Sequence, residues 1–129
     1  MSNEKFLVCG GAICDEEIRF SDLLEINGKL NIDVASAPLY LHEATGSSIR
    51  KSVIGPNGYL APHASSNTVC IQVMEGSGTI GNVDEQGNIL SELSVSKNDF
   101  IIFEAPMPRH YYKAGDEGLS YIAITLKAN

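Results

Sequence analysis

Apolar and polar positions alternate along most of this chain in short runs, with turn chemistry roughly every 8–12 residues, the rhythm of a β-sandwich or barrel. The first 30 residues carry the weakest pattern: Lys5 to Cys9 reads as a strand ending at Gly10-Gly11, and Ser21 to Leu24 as a short turn of helix capped by Ser21. Asn27-Gly28 is a turn signal, followed by an alternating strand over Leu30 to Val34 and a further strand over Pro38 to Glu43. From Ile49 the pattern sharpens. A strand over Ile49 to Ile54 is stopped by Gly55-Pro56-Asn57-Gly58, and Val69 to Glu75 is turned by Gly76-Ser77-Gly78 into Thr79 to Val83. A hairpin loop at Asp84 to Asn88 leads into Ile89 to Val95, then a turn over Ser96 to Asp99 and a buried strand over Phe100 to Phe103. Ala105 to Arg109 is a Pro-rich loop, and His110 to Lys113 and Leu119 to Leu126 are strands separated by a turn at Gly115 to Gly118.

Composition agrees with this reading. Thirteen Ile and seven Val favour a pleated sheet, where β-branched side chains pack well. A length of 129 residues suits one domain, and neither a repeat nor a linker interrupts it. The 16 acidic and 9 basic residues leave a net charge of −7, which argues against nucleic acid or an anionic membrane as partner, because phosphates are bound by clustered Lys and Arg. No apolar run reaches the ~20 residues of a membrane helix. The start, Met1 to Lys5, lacks the basic and long apolar segments of a secretory signal, so the expected location is cytoplasmic. Three cysteines, Cys9, Cys14 and Cys70, fit reduced thiols in that compartment. The spacing of Cys9 and Cys14 is not that of a redox or zinc pair, and a disulfide between them or a reactive Cys70 is the alternative. Asp15-Glu16-Glu17 reads as a solvated turn or first helical turn, and Gly76-Ser77-Gly78, lying between strands, as a hairpin turn rather than a phosphate loop.

Two motifs then carry chemistry. Gly58, His63, Ser65, Val69 and Gly76 follow the order Gly, His-x-His, Glu, Gly, with Ser65 at the second His, Val69 at the Glu, and Gly58 one residue late. Downstream, Asp99, Ala105, Met107, His110 and Ala114 occupy the positions of Gly, Pro, Gly, His and Asn in a second motif, of which only His110 is retained. This order and spacing resemble the cupin family over residues 49–126. The resemblance implies an all-β fold, the cupin double-stranded β-helix or jelly-roll barrel, as a single domain over 1–129, with residues 1–48 adding N-terminal strands and turns. A homodimer is expected from the same resemblance, since an unpaired sheet edge needs covering.

In metal-dependent cupins the two motifs supply three histidines and a carboxylate, a set that suits Fe, Mn, Ni or Zn. Here the implied metal ligands reduce to His63 and His110, with His42, Glu43 and Glu104 the nearby candidates in type for a third. If Val69 points inward, alternation sends Ile71 and Val73 inward as well and turns Cys70 and Gln72 away. The resulting pocket, with Ser65 near its mouth and Arg109 beside His110, is more apolar than a four-ligand site. Three readings stand side by side: a metal-dependent dioxygenase, isomerase or lyase; a metal-free module or sensor that binds a small molecule; and a metal-independent isomerase or epimerase, in which His63 or His110 works with Tyr112 as the acid–base pair.

Overall fold

The structure, a computed structural model, describes the backbone of residues 5–9 and 13–127 and the side chains of 17–106 and 109–127. Every regular element among these is a strand: β1 (Lys5–Cys9), β2 (Ile13–Glu17), β3 (Ser21–Asp22), β4 (Glu25–Ile26), β5 (Lys29–Leu30), β6 (Ile32–His42), β7 (Ser47–Ser65), β8 (Thr68–Val83), β9 (Ile89–Ser96), β10 (Phe100–Phe103) and β11 (Met107–Leu126). No helix among the described residues is long and apolar enough to cross a membrane. A seven-stranded sheet runs in the order β10-β8-β11-β7-β6-β3, with β9 also pairing β8, and all of its pairs are antiparallel. β1 and β2 form one separate hairpin, β4 and β5 another.

Three strands are far longer than the sequence pattern predicts. Gly55 to Gly58, Gly76 to Gly78 and Gly115 to Gly118, expected to end strands, lie inside β7, β8 and β11. They sit at one level of the sheet. The β11 ladders to β7 and to β8 both shift register between Lys113 or Ala114 and Leu119, and the β6 ladder shifts between Ile32 and Val34, opposite Tyr59 and Ile54. Positive φ at Asp33 (54°), Asn57 (59°), Gly76 (80°) and Gly118 (81°) marks the same belt. Here the sheet folds over on itself. The arms before and after the belt then face one another, and Val34, Ile54, Ile71, Val73, Leu119 and Tyr121 from one side meet Leu60, Ile80, Val95 and Tyr112 from the other. Each such aliphatic side chain, fully buried, contributes about 1.5–3 kcal/mol.

Other expectations also change. The helical turn predicted at Ser21 to Leu24 is replaced by strand β3, in which Ser21 and Asp22 pair with Ser36 and Ala35, and beyond it the Leu23 amide donates to the Val34 carbonyl at 2.8 Å. Leu23 packs against the core, and that burial outweighs the local capping preference of Ser21. Leu30 to Val34 and Pro38 to Glu43 are largely one strand, β6. Asp15, Glu16 and Glu17 belong to β2 rather than a turn or helix, so the charge run lies on a hairpin. The Pro-rich loop is shorter than expected, since β11 begins at Met107. Alternation in β8 is as expected: Val69, Ile71 and Val73 are buried, Gln72 is exposed and Cys70, a free thiol, is half-buried. In the first hairpin Val8 pairs with Cys14 and Cys9 with Ile13; the side chains that would decide a disulfide there lie outside the described residues.

Candidate functional site

Between the two walls lies a cavity of about 250 Å³. The wall of β6, β7, β8 and β11 before or beyond the belt contributes Ser36, Arg50, Ser52, Val69, Ile71, Tyr121, Ala123 and Thr125; the facing arms contribute Leu60, His63, Ser65 and Tyr112. Leu23 and Ile26 close it from the N-terminal segment. The lining follows from strand parity. Arg50 and Ser52 alternate with Ile54, which is fully buried, and Tyr121, Ala123 and Thr125 alternate along the neighbouring strand, with Arg50 paired to Ala123 and Tyr121 to Ser52.

His63 is held in one tautomer. Its Nδ1 lies 3.0 Å from the Ala61 carbonyl, which can only accept, so Nδ1 carries the proton and Nε2 the lone pair. Burial depresses its pKa below the ordinary histidine value, an effect the Ala61 hydrogen bond opposes more weakly. The imidazole is therefore neutral at pH 7. Its ring stacks on that of Tyr112, with centroids 5.9 Å apart, and Tyr112 stacks in turn on Tyr121 at 5.1 Å. Burial pushes the phenol of Tyr112 well above its usual value, with the neighbouring Tyr121 adding to the shift, and burial likewise raises that of Tyr121. Both phenols stay protonated across the working range. Tyr112 can donate a hydrogen bond here, but it is a poor partner for proton exchange near neutrality.

The depressed pKa of His63 fixes a sign for stability against pH. The unfolded chain binds the proton more readily than the folded one. Stability from this residue is thus complete above the ordinary value of about 6.5 and is lost as pH falls toward the depressed folded value. The thermal midpoint of the native protein is expected to fall over that interval more steeply than that of His63→Gln. Parallel melting curves across the interval would show no role for His63.

His110 lines a different cavity. It is paired with His63 in the β7–β11 ladder, but the ladder shifts register on both sides of it. Its ring rests against Phe103 with centroids 3.6 Å apart, and both residues line a second cavity of about 410 Å³ with Asn82, Ser91 and Leu93. Phe103 pairs with Val69 and packs against the core cluster. Tyr112 keeps the strand parity with His110 expected of it, their β8 partners being Ile80 and Asn82, and it lines the His63 cavity. Ser65, Val69 and Ile71 line that cavity; Val73 is in the core beside it, and Arg109 lines neither cavity.

These residues do not fit the divalent transition metal that the motifs suggested. The His63 cavity offers one imidazole, neutral hydroxyls and a guanidinium, whose positive charge opposes a cation. Among the described residues no group of three or more His, Cys, Asp or Glu side chains could hold a metal ion, so His42, Glu43 and Glu104 do not complete a set.

Sequence reasoning missed Arg50, Ser36, Ser52 and Tyr121. Arg50 Nε and Nη2 donate to Ser36 Oγ at 3.2 and 3.1 Å, Ser36 Oγ lies 3.5 Å from Ser52 Oγ, and Ser52 hydrogen-bonds the Tyr121 hydroxyl. The parity of Arg50 with Ile54 in a strand already recognised was the available signal.

No protein-family model and no curated protein matches the chain. Solved structures do match. A cupin 2 conserved barrel domain protein from Rhodopseudomonas palustris superimposes with a TM-score of 0.71 at 13% identity, over 98% of this chain and 82% of that one. A cupin-2 domain protein from Rhodospirillum rubrum gives 0.67 at 14%, over 87% and 71% of the two chains. The polyketide cyclase RemF from Streptomyces resistomycificus gives 0.66 at 16%, over 87% and 75%. At these identities the likeness is one of fold, and the fold is that of the cupin barrels.

Proposed function

We propose that this chain is a small-molecule-binding cupin, a ligand module or sensor that takes its ligand in the His63 cavity without a metal. The observation that carries the reading is the cavity's lining: apolar Leu60, Val69, Ile71 and Ala123, a few polar groups, and, among the described residues, neither a second imidazole nor a carboxylate. Few polar groups in a largely apolar lining are what a small organic ligand needs.

Benzyl alcohol, a small neutral probe, is expected to bind saturably, as read by calorimetry, and binding is expected to be lost in Ala123→Phe, which fills the cavity from its wall. Retained binding in that variant would move the site elsewhere. Stoichiometric uptake of Fe, Mn, Ni or Zn that is lost in both His63→Ala and His110→Ala would replace this reading with the metal-dependent one.

The orientation of His63 favours one second reading, in which the neutral Nε2 takes a proton from the bound molecule, as in an isomerase. It requires that His63→Gln abolish turnover while benzyl alcohol still binds. A homodimer belongs to the same proposal. Strand β10, expected to be buried, is instead an edge strand that exposes more than half of Phe100 and Ile102, a surface that a second copy would cover. A monomeric mass by sedimentation equilibrium would remove it.

A further inference from the structure

The protein carries a net charge of −7, yet among the described residues its barrel cavity is cationic: Arg50 is in the lining and no Asp or Glu is. The guanidinium spends two of its five N–H donors on the Ser36 hydroxyl, a neutral acceptor, and no carboxylate among the described residues pairs with it. Its plane is nevertheless fixed. Both donors converge on one oxygen, and that oxygen is backed by Ser52 and Tyr121. A positioned guanidinium on the wall of a largely apolar cavity, with no carboxylate partner among the described residues, is a receptor for an anion. The remaining chemistry narrows the class. His63 is neutral, so the cavity supplies one full positive charge, enough for a monoanion. The planar fork of arginine matches a carboxylate in two parallel hydrogen bonds. About 250 Å³ lies below the usual ~300–1,000 Å³ of ligand pockets and admits a small body only.

We propose that the ligand of this cavity is a small organic carboxylate, its carboxyl group bound by Arg50 and its apolar body lying against Leu60, Val69, Ile71 and Ala123. The inference rests on the reading of the cavity as a binding site and goes further by naming the charged group. Arg50 is exposed to solvent, so an anion can reach it, and the attraction weakens with added salt.

The test compares benzoate with two neutral analogues of similar shape, benzamide and benzyl alcohol, by calorimetry at low salt. Benzoate is expected to bind about tenfold more tightly than either. Arg50→Gln is expected to abolish that preference while leaving benzyl alcohol bound. Lys97→Gln, which changes net charge equally at an exposed site beside Glu75, is expected to leave it intact. Equal affinities of the three probes for the native protein, or a benzoate preference that survives Arg50→Gln, would overturn the carboxylate assignment and leave the cavity as a site for neutral molecules. Inorganic phosphate displacing benzoate at equal concentration would overturn it in favour of a phosphate group. Failure of all three probes to bind would instead remove the binding-site reading beneath it.

Discussion

Replacing Gly76 with alanine is expected to cost roughly 4 kcal/mol or more of stability. In a chain of this length that is a fall in the thermal midpoint of more than about 12 °C. Two effects combine. The residue has φ of 80°, a conformation that side chains resist, and a Cβ there would run into the backbone carbonyl of Gly118. Gly118 is itself confined, with φ of 81° and an added Cβ that would meet the Ile54 carbonyl. Gly87 separates the two effects. Its φ of 87° is equally unfavourable, but a Cβ would meet nothing within 4 Å, so Gly87→Ala is expected to cost only ~1 kcal/mol. Equal losses in the two variants, read from urea unfolding, would mean that the close approach of β8 and β11 at the belt is not what holds the sheet in its fold.

The second large effect is expected at Tyr112. It is buried, and its ring lies between those of His63 and Tyr121. Tyr112→Ala removes both stacks and leaves a void beside an existing cavity, at a cost of about 3–5 kcal/mol. Tyr112→Phe keeps both rings in contact and is expected to stay within ~1 kcal/mol of the native protein. A Phe variant as damaged as the Ala variant would shift the weight from ring packing to the hydroxyl. An Ala variant close to native would mean that the walls collapse onto the space, and that the cavity is not held open by its lining.

The fold was readable because its signals are local. Val69, Ile71 and Val73 show their parity within a single strand, Asn27-Gly28 takes the positive φ its turn needs, and the loop at Asp84 is closed by that side chain accepting from the Gln86 and Asn88 amides. The order of His63, Gly76 and His110 then pointed to the barrel. The misread glycines fail for a reason of scale: Gly55, Gly76 and Gly118 look like chain ends one at a time, and only pairing shows that they align where the long strands bend together. The site was harder still. The cavity that each of two paired histidines lines depends on the register shifts around His110, which have no sequence signature. Arg50 becomes part of the cavity only through its pairing with Ala123, 73 positions later, and its bonds to Ser36. Those are tertiary facts. The parity of Arg50 with Ile54 was the portion that could have been read in advance.

The central claim is that the cavity between the two walls, rather than a metal centre or an outer groove, receives the ligand. Methyl-resolved NMR during a titration with benzyl alcohol tests it most directly. The expected result is saturable shifts at the methyl groups of Leu60, Val69, Ile71 and Ala123, with a common dissociation constant and no dependence on added chelator. Shifts confined to Ile89, Leu90 and Leu93 on the exposed strand β9, or shifts abolished by chelator, would contradict it.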